Sequence, residues 1–337
     1  MSEHIELRSD TFTTPTPEMR RAMADAEVGD DEYGEDPTVN RLQALAAGLL
    51  GTEAALYVPS GTMANQVAIR VLSRPGTEVL CPARSHVYQY ELAASPQNSG
   101  VQLHPLWDVP DGITTAVAGA RDEFPPVSML VLENTYMAMS GAPTGVDEMG
   151  TLVQRGRDGG LRVHVDGARI WNAAIATGSP PSALIGGADT VMFCLSKGLG
   201  APVGSVLCGT ADVIAEARVQ RRKLGGGMRQ AGVIAAAGIV ALETMVERLA
   251  DDHARAHVLA EALATRWPGS VDPVTVRTNI VCARLELLPD DFIARLSALG
   301  VRCGTIDPRT VRFVTHKDLD DGDIKRVVEA FDELAHS

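Results

Sequence analysis

Lysine is nearly absent from this chain: among 337 residues it occurs at Lys197, Lys223, Lys317 and Lys325 and nowhere else. Positive charge as a whole is short, with 30 Lys and Arg against 43 Asp and Glu, a formal net charge of −13. Nucleic acid and an anionic membrane would repel such a molecule, so neither is expected as a partner. An anionic small molecule would have to be met locally, by arginines and backbone N–H groups. Cysteine is sparse too: Cys81, Cys194, Cys208, Cys282 and Cys303 are scattered and odd in number, with no Cys-x-x-Cys. That speaks against a disulfide scaffold and suits reduced thiols in a cytoplasm, and three of the five sit in apolar strand-like runs, where core packing is expected. The longest apolar run, Ala231 to Leu242, is shorter than the ~20 residues a spanning helix needs. Nor does the N-terminal Met-Ser-Glu-His-Ile-Glu show the basic-then-apolar order of a secretion signal, so a soluble cytoplasmic protein is expected. No strand candidate is followed by Gly-x-Gly-x-x-Gly, which argues against a nicotinamide-dependent oxidoreductase.

Apolar residues are plentiful at 45%, with 22% charged, an ordinary composition for a globular enzyme with a sizeable core. The length exceeds that of a typical single domain and predicts a large domain with a smaller one. Short apolar runs alternate with helical patterns, the order of βα units around a mostly parallel sheet. Strands are expected at Ala54–Val58, Glu78–Cys81, Ser128–Leu132, Leu161–Val165, Thr190–Leu195 and Gly204–Cys208, with helices at Thr62–Leu72 and Ala211–Lys223. One long helical stretch from Gln230 to about Thr265 is expected to carry the chain out of the large domain. Beyond it Asn279–Leu285 and Thr310–Val314 read as strands, with helices near Asp290–Leu299 and Asp320–Leu334. The fold expected is therefore α/β, with a large domain over residues 1–245 and a smaller α+β domain over residues 246–337.

Four polar residues follow apolar runs closely: Asp166 after Leu-Arg-Val-His-Val, Lys197 after Val-Met-Phe-Cys-Leu-Ser, Glu133 after Met-Leu-Val-Leu, and His86 soon after Val-Leu-Cys. Open α/β sheets bind ligands just past the carboxyl ends of their strands. Of the four lysines, Lys197 alone leaves directly from such a run and precedes the glycine-rich Gly198-Leu199-Gly200. A lysine drawn out of water is a usable amine for imine formation, whereas a strand-end lysine reaching solvent is the plainer alternative. Asp166 shifts the balance toward chemistry. Pyridoxal 5′-phosphate (PLP) works as an electron sink while its pyridine nitrogen is protonated, and a buried carboxylate keeps it so. Asp166 offers that group, with the small Gly167 and Ala168 allowing close approach; a helix N-cap is its structural alternative. Ser60-Gly61-Thr62 opens a helix, where hydroxyls and backbone N–H groups converge on an anion such as phosphate, although the triplet is also a common turn. Gly225-Gly226-Gly227-Met228-Arg229 offers either a close backbone approach and a guanidinium for that phosphate, or only a flexible turn.

Taken together, these segments resemble the L-threonine aldolase family, within the aspartate-aminotransferase-like fold type I of PLP enzymes. The resemblance covers nearly the whole chain. It is carried by Leu7-Arg8-Ser9-Asp10-Thr11, the stretch Val28–Pro37, Pro59–Met63, Ser85-His86, His164–Arg169, Phe193–Leu199, Leu224–Gly232 and Val314–Asp318. It implies that Lys197 holds PLP as an imine, that Asp166 pairs with the pyridinium, and that His86 stacks on the ring as a candidate base. These three are the expected catalytic residues, while Ser60, Gly61, Thr62, Arg169 and Arg229 complete the cofactor site. Ser9, Arg169 and Arg312 are expected to hold the substrate carboxylate, a task suited to paired guanidinium hydrogen bonds. Tyr33 and Arg229 are expected to arrive from a neighbouring subunit of a homotetramer built as a dimer of dimers. No metal ligands are assigned.

The implied reaction is reversible cleavage of a β-hydroxy-α-amino acid, of threonine or allo-threonine type, to glycine and an aldehyde. Another PLP reaction on the same fold, β-elimination or racemisation, is the alternative. One segment departs from the family. Many threonine aldolases carry Glu-Asn-Thr-His-Asn where this chain has Glu133-Asn134-Thr135-Tyr136-Met137. A phenol with a pKa of about 10 thus replaces a ring that titrates near neutrality. Tyr136, with Met137 and Met139, is expected to border the substrate's β-substituent.

Overall fold

The computed structural model describes residues 4–119 and 125–336. β1 (Ile5–Glu6) stands apart from the main sheet. β2 (Ala54–Val58), β3 (Glu78–Pro82), β4 (Gln102–Leu106), β5 (Val127–Glu133), β6 (Arg162–Asp166), β7 (Thr190–Cys194) and β8 (Ser205–Gly209) form seven strands in the order β2-β8-β7-β6-β5-β3-β4. β8 runs against both neighbours, and the remaining pairs are parallel. β7 and β8 are buried at every position, as central strands covered on both faces by helices must be. The strands expected from the sequence agree with these within two residues at each end. β4 is the addition. Its Pro105 and polar Gln102 and His104 hide it from an apolar-run search, yet it lies at the sheet edge, where a missing N–H does no harm.

The helix that opens at the future site has a local cause. Ser60 caps the helix Gly61–Leu72 by accepting a hydrogen bond from Met63 N at 3.2 Å. Gly61 has to be glycine: a Cβ there would come within 2.9 Å of Cys194 Sγ on β7. The single long helix expected from residue 230 is instead two, Gly232–Thr244 and Leu249–Arg266. The cause is a change of partner. The first is buried almost all round, against the main core, whereas the second shows one stripe, Ala256, Leu259, Ala260 and Leu263, to a second core. One straight helix cannot face both.

That second core surrounds β9 (Ile280–Arg284), β10 (Val301–Arg302), β11 (Gly304–Asp307) and β12 (Thr310–Val314). β11, β12 and β9 form an antiparallel sheet, and β10 pairs in parallel with β1. Phe292, Phe313 and Phe331 meet there with Trp267, ring centroids 5.4–6.4 Å apart. Burying each such ring contributes about 1.5–3 kcal/mol. Ile5 and Leu7 also pack in this core, so the N-terminal strand crosses over to it. Among the described residues, no helix is long and apolar enough to cross a membrane.

Candidate active site

Glu133 and Asp166 are register partners at the ends of β5 and β6, so two acids emerge side by side at the carboxyl edge of the sheet. Asp166 is buried; its Oδ1 accepts from Ala168 N (3.0 Å) and its Oδ2 from Asn65 Nδ2 (2.7 Å). Glu133 accepts from the backbone N–H of His86 (2.8 Å) and of Met137 (3.0 Å), which fixes both loops to the strand end. Burial, and then the neighbouring Asp166 charge, push the Glu133 carboxyl up to about 7.

Lys197 lies three residues past β7. Its carbonyl accepts from Gly200 N and from Thr13 Oγ1, both at 2.9 Å, so the backbone is pinned on two sides. Among the described residues its amine makes no hydrogen bond or ion pair. Lys197, Asp166, His86 and the helix-opening Ser60, Gly61 and Thr62 line one cavity of about 240 Å³. A larger hollow of about 500 Å³ beside His104 and Trp107 has neither Lys nor Arg in its lining. The smaller cavity offers an unpaired amine, a buried carboxylate, a flat imidazole and a helix N-terminus. That set fits PLP, an aldehyde with a basic ring nitrogen and a phosphate.

The arginines arrive differently from what the sequence suggests. Arg169 lines the same cavity but grips the fully buried Asp10, Nε to Oδ2 at 2.8 Å and Nη2 to Oδ1 at 2.7 Å. Burial alone would raise the Asp10 pKa; the charges of Arg169 and Lys197 override it and hold the carboxyl well below the usual range. Asn279 Nδ2 adds a 3.2 Å bond to Asp10 from the second core. Arg312, on β12, donates to Arg8 O (2.9 Å) and contacts Met137 Sδ (3.3 Å), while its Nε is buried without a partner and no acid pairs with it among the described residues. Burial, then the nearby charge of Arg169, lower its pKa, the signature of a cation in want of an anion. Ser9 uses its Oγ to cap the turn at Asp10.

Five expected residues lie outside the cavity lining: Ser9, Arg312, Tyr33, Arg229 and Tyr136. Tyr33 is 78% exposed, and Arg229 is mostly exposed, 3.6 Å from Asp30. The loops carrying them touch through Asp31 N and Arg229 O at 3.0 Å, so both project from one surface. Tyr136 accepts from Arg84 N through its hydroxyl at 3.2 Å, while its neighbour Met137 lines the cavity and Met139 is exposed.

Sequence reasoning missed Glu91, Asn65 and the pairing role of Asp10. Glu91 has a fully buried side chain, and its Oε1 lies 2.9 Å from His86 Nδ1 and accepts from Asn65 Nδ2 at 2.8 Å. His86 also stacks on Tyr90. Burial would lower the His86 pKa, but the Glu91 bond and the Asp166 charge leave it raised. Asn65 falls one turn into the helix after Ser60, and that spacing was the available signal. Glu91 carried none.

This geometry is that of a PLP-type lyase site on a fold type I scaffold, and comparison with known proteins bears out that class. Residues 6–286 match the β-eliminating lyase family, and the chain belongs to it. It is 39% identical to the low specificity L-threonine aldolase of Escherichia coli K12 over 94% of each chain. Among solved structures, a threonine aldolase from Leishmania major superposes with a TM-score of 0.84, at 19% identity over 98% of this chain and 99% of that one. A serine palmitoyltransferase from S. paucimobilis with PLP bound gives 0.77, at 18% identity over 99% and 87%, which shows the shared fold.

Proposed function

We propose that this chain is a PLP-dependent carbon–carbon lyase that cleaves β-hydroxy-α-amino acids of the threonine and allo-threonine type, reversibly, to glycine and an aldehyde. The observation that carries this reading is the partnerless amine of Lys197 sharing one cavity with the buried carboxylate of Asp166. Relatives named as low specificity L-threonine aldolases support the choice of reaction. PLP, when bound, supplies the electron sink that stabilises charge at the substrate Cα.

In this reading Lys197 holds the cofactor, Asp166 keeps a proton on its ring nitrogen, and Ser60, Gly61 and Thr62 bind its phosphate. Arg312, buried and paired with no acid among the described residues, binds the substrate carboxylate together with Ser9 and Arg169, and so orients the Cα–Cβ bond. His86 moves the β-hydroxyl proton. Tyr33 and Arg229, exposed on one surface away from their own cavity, serve the site of a neighbouring subunit in a homotetramer. Tyr136 acts at the substrate side through the loop it shares with Met137. The five free cysteines suit a cytoplasmic protein. Residues 246–337 form a small domain to which Ile5 and Leu7 are added.

Product analysis tests the reaction. The PLP-loaded protein should release glycine and acetaldehyde from threonine; 2-oxobutanoate and ammonia in their place would establish β-elimination, and interconversion of alanine enantiomers would establish racemisation.

A further inference from the structure

Glu91 lies outside the set of residues assigned above, yet its side chain is fully buried against His86. We propose that Glu91 is a positioning residue that holds His86 in the Nδ1–H form, so that Nε2 is the nitrogen presented to the substrate. The pairing stands on geometry alone; its catalytic consequence rests on the reading of His86 as the base.

The hydrogen positions follow from counting donors and acceptors. Asn65 Nδ2 lies 2.7 Å from Asp166 Oδ2 and 2.8 Å from Glu91 Oε1, and its Oδ1 lies 3.0 Å from His164 Nε2. Two carboxylates can only accept, so the amide cannot be turned round, and its oxygen takes the proton of His164 Nε2. His164 Nδ1 then accepts from Thr190 Oγ1 at 2.8 Å, and burial keeps this ring neutral by lowering its pKa to about 4. Gln66 Nε2 donates to Glu91 Oε2 at 2.6 Å. Among the described residues, the other side chains hydrogen-bonded to the Glu91 carboxylate are thus donors, and the Asp166 carboxylate lies within 4.8 Å without a bond to it. His86 Nδ1, 2.9 Å from Glu91 Oε1, must be a donor as well.

The remaining groups around His86 fix how firmly it holds a second proton. Asp166 and Glu91 favour the imidazolium, Lys197 and burial oppose it, Glu133 accepts the His86 backbone N–H, and the Tyr90 ring stacks at 5.6 Å. The result is a pKa above the ordinary 6.5. A carboxylate behind an imidazole orients the ring and stabilises its charged form, the role an acid plays behind a general base. The shared amide of Asn65 further ties this pair to Asp166, so the ring and the buried acid keep their spacing.

The decisive measurement is made on the cofactor-free protein. With ring-labelled histidine, and His86 identified by its loss in His86→Asn, nitrogen NMR should show neutral His86 as Nδ1–H and a titration above 6.5. The native protein alone decides this, and an Nε2–H ring would overturn the proposal. Glu91→Gln should lower the His86 titration by about one to three pH units, the effect of removing an opposite charge at this range. Gln66→Leu, which removes a neighbour of Glu91 but not its charge, should leave that titration raised. An unchanged titration in Glu91→Gln, or an equal fall in Gln66→Leu, overturns the charge-based role. In the PLP-loaded enzyme the acid limb of kcat/KM should move down with the NMR value in Glu91→Gln. If the NMR value moves and the limb does not, His86 is not the base, and that reading fails while the pairing stands.

Discussion

Arg169 closes two parallel hydrogen bonds, 2.8 and 2.7 Å, on Asp10, and both side chains are buried. The pair joins the turn after β6 to the N-terminal segment, and Asn279 ties it to the second core. Removing one partner of a buried pair leaves the other charge uncompensated and costs about 3–5 kcal/mol. Asp10→Asn should lose stability of that order at pH 7 in urea unfolding of the cofactor-free protein. The sign of the pH effect follows from the depressed pKa of Asp10. Its contribution is complete above the unfolded value of 3.8 and fades as pH falls below it toward the folded value. The variant should lack that acid-side loss; native-like stability at pH 7 would mean the pair contributes little.

Lys197→Ala should abolish turnover and the visible absorbance of bound PLP. Because the amine has no hydrogen bond or ion pair to lose among the described residues, the unfolding midpoint of the cofactor-free protein should move little. Borohydride reduction of the loaded native protein, followed by peptide mapping, should place the label on Lys197. A label on Lys223 or Lys317 would refute the assignment.

The strand ends were legible because burial on both faces forces continuous apolar runs, and Asp166, Lys197 and Glu133 interrupt those runs where chemistry is possible. The rarity of lysine made Lys197 stand out further. Contacts between distant segments leave no such trace. Asp10 meets Arg169 across 159 positions, and Asn65 meets Asp166 across 101, so neither pairing has a periodicity to read. Glu91 follows His86 by five residues, across the single helical turn His86–Gln89 and Tyr90, and one turn is too short to leave a periodicity to read. The helix break at Met245–Arg248 was hidden for a related reason: nothing in the local sequence stops the helix, and the two cores it serves do.

Glu133 gives a second pH-linked test, with the opposite sign. Its folded pKa, about 7, lies above the ordinary 4.5, so the fold favours the uncharged acid. As pH rises from 4.5 to 7 the unfolded chain ionises first, and stability falls across that window. Below 4.5 the group is neutral in both states and the slope vanishes. Glu133→Gln should flatten the fall, since an amide does not ionise, although losing one acceptor for the His86 or Met137 N–H lowers stability at every pH. Urea unfolding at half-unit steps reads the slope; equal slopes in both proteins would assign the titration elsewhere.

Arg312→Ala should raise KM for threonine about tenfold or more, the effect of losing a charged hydrogen bond of about 1.5–3 kcal/mol. PLP affinity should change much less. Equal losses in both would make Arg312 a structural residue, held by Arg8 O and Met137.

Specificity for the β-substituent should follow Met137 more than Tyr136. Met137 is buried, lines the cavity and sits 3.3 Å from Arg312 Nη1, whereas Tyr136 spends its hydroxyl on Arg84 N and stands outside the lining. Met137→Ala therefore opens space beside the Arg312 guanidinium. It should cost about 2–5 kcal/mol of stability and raise kcat/KM for phenylserine relative to threonine. Tyr136→Phe loses one hydrogen bond from a backbone amide and should leave that ratio, and the ratio of threonine to allo-threonine, within about twofold of native. Steady-state kinetics on the three substrates in the native protein and both variants decide between the residues. If Tyr136→Phe shifts the ratios and Met137→Ala does not, the phenol reaches the substrate through a movement of the Arg84 loop, and the discriminating contact belongs to Tyr136.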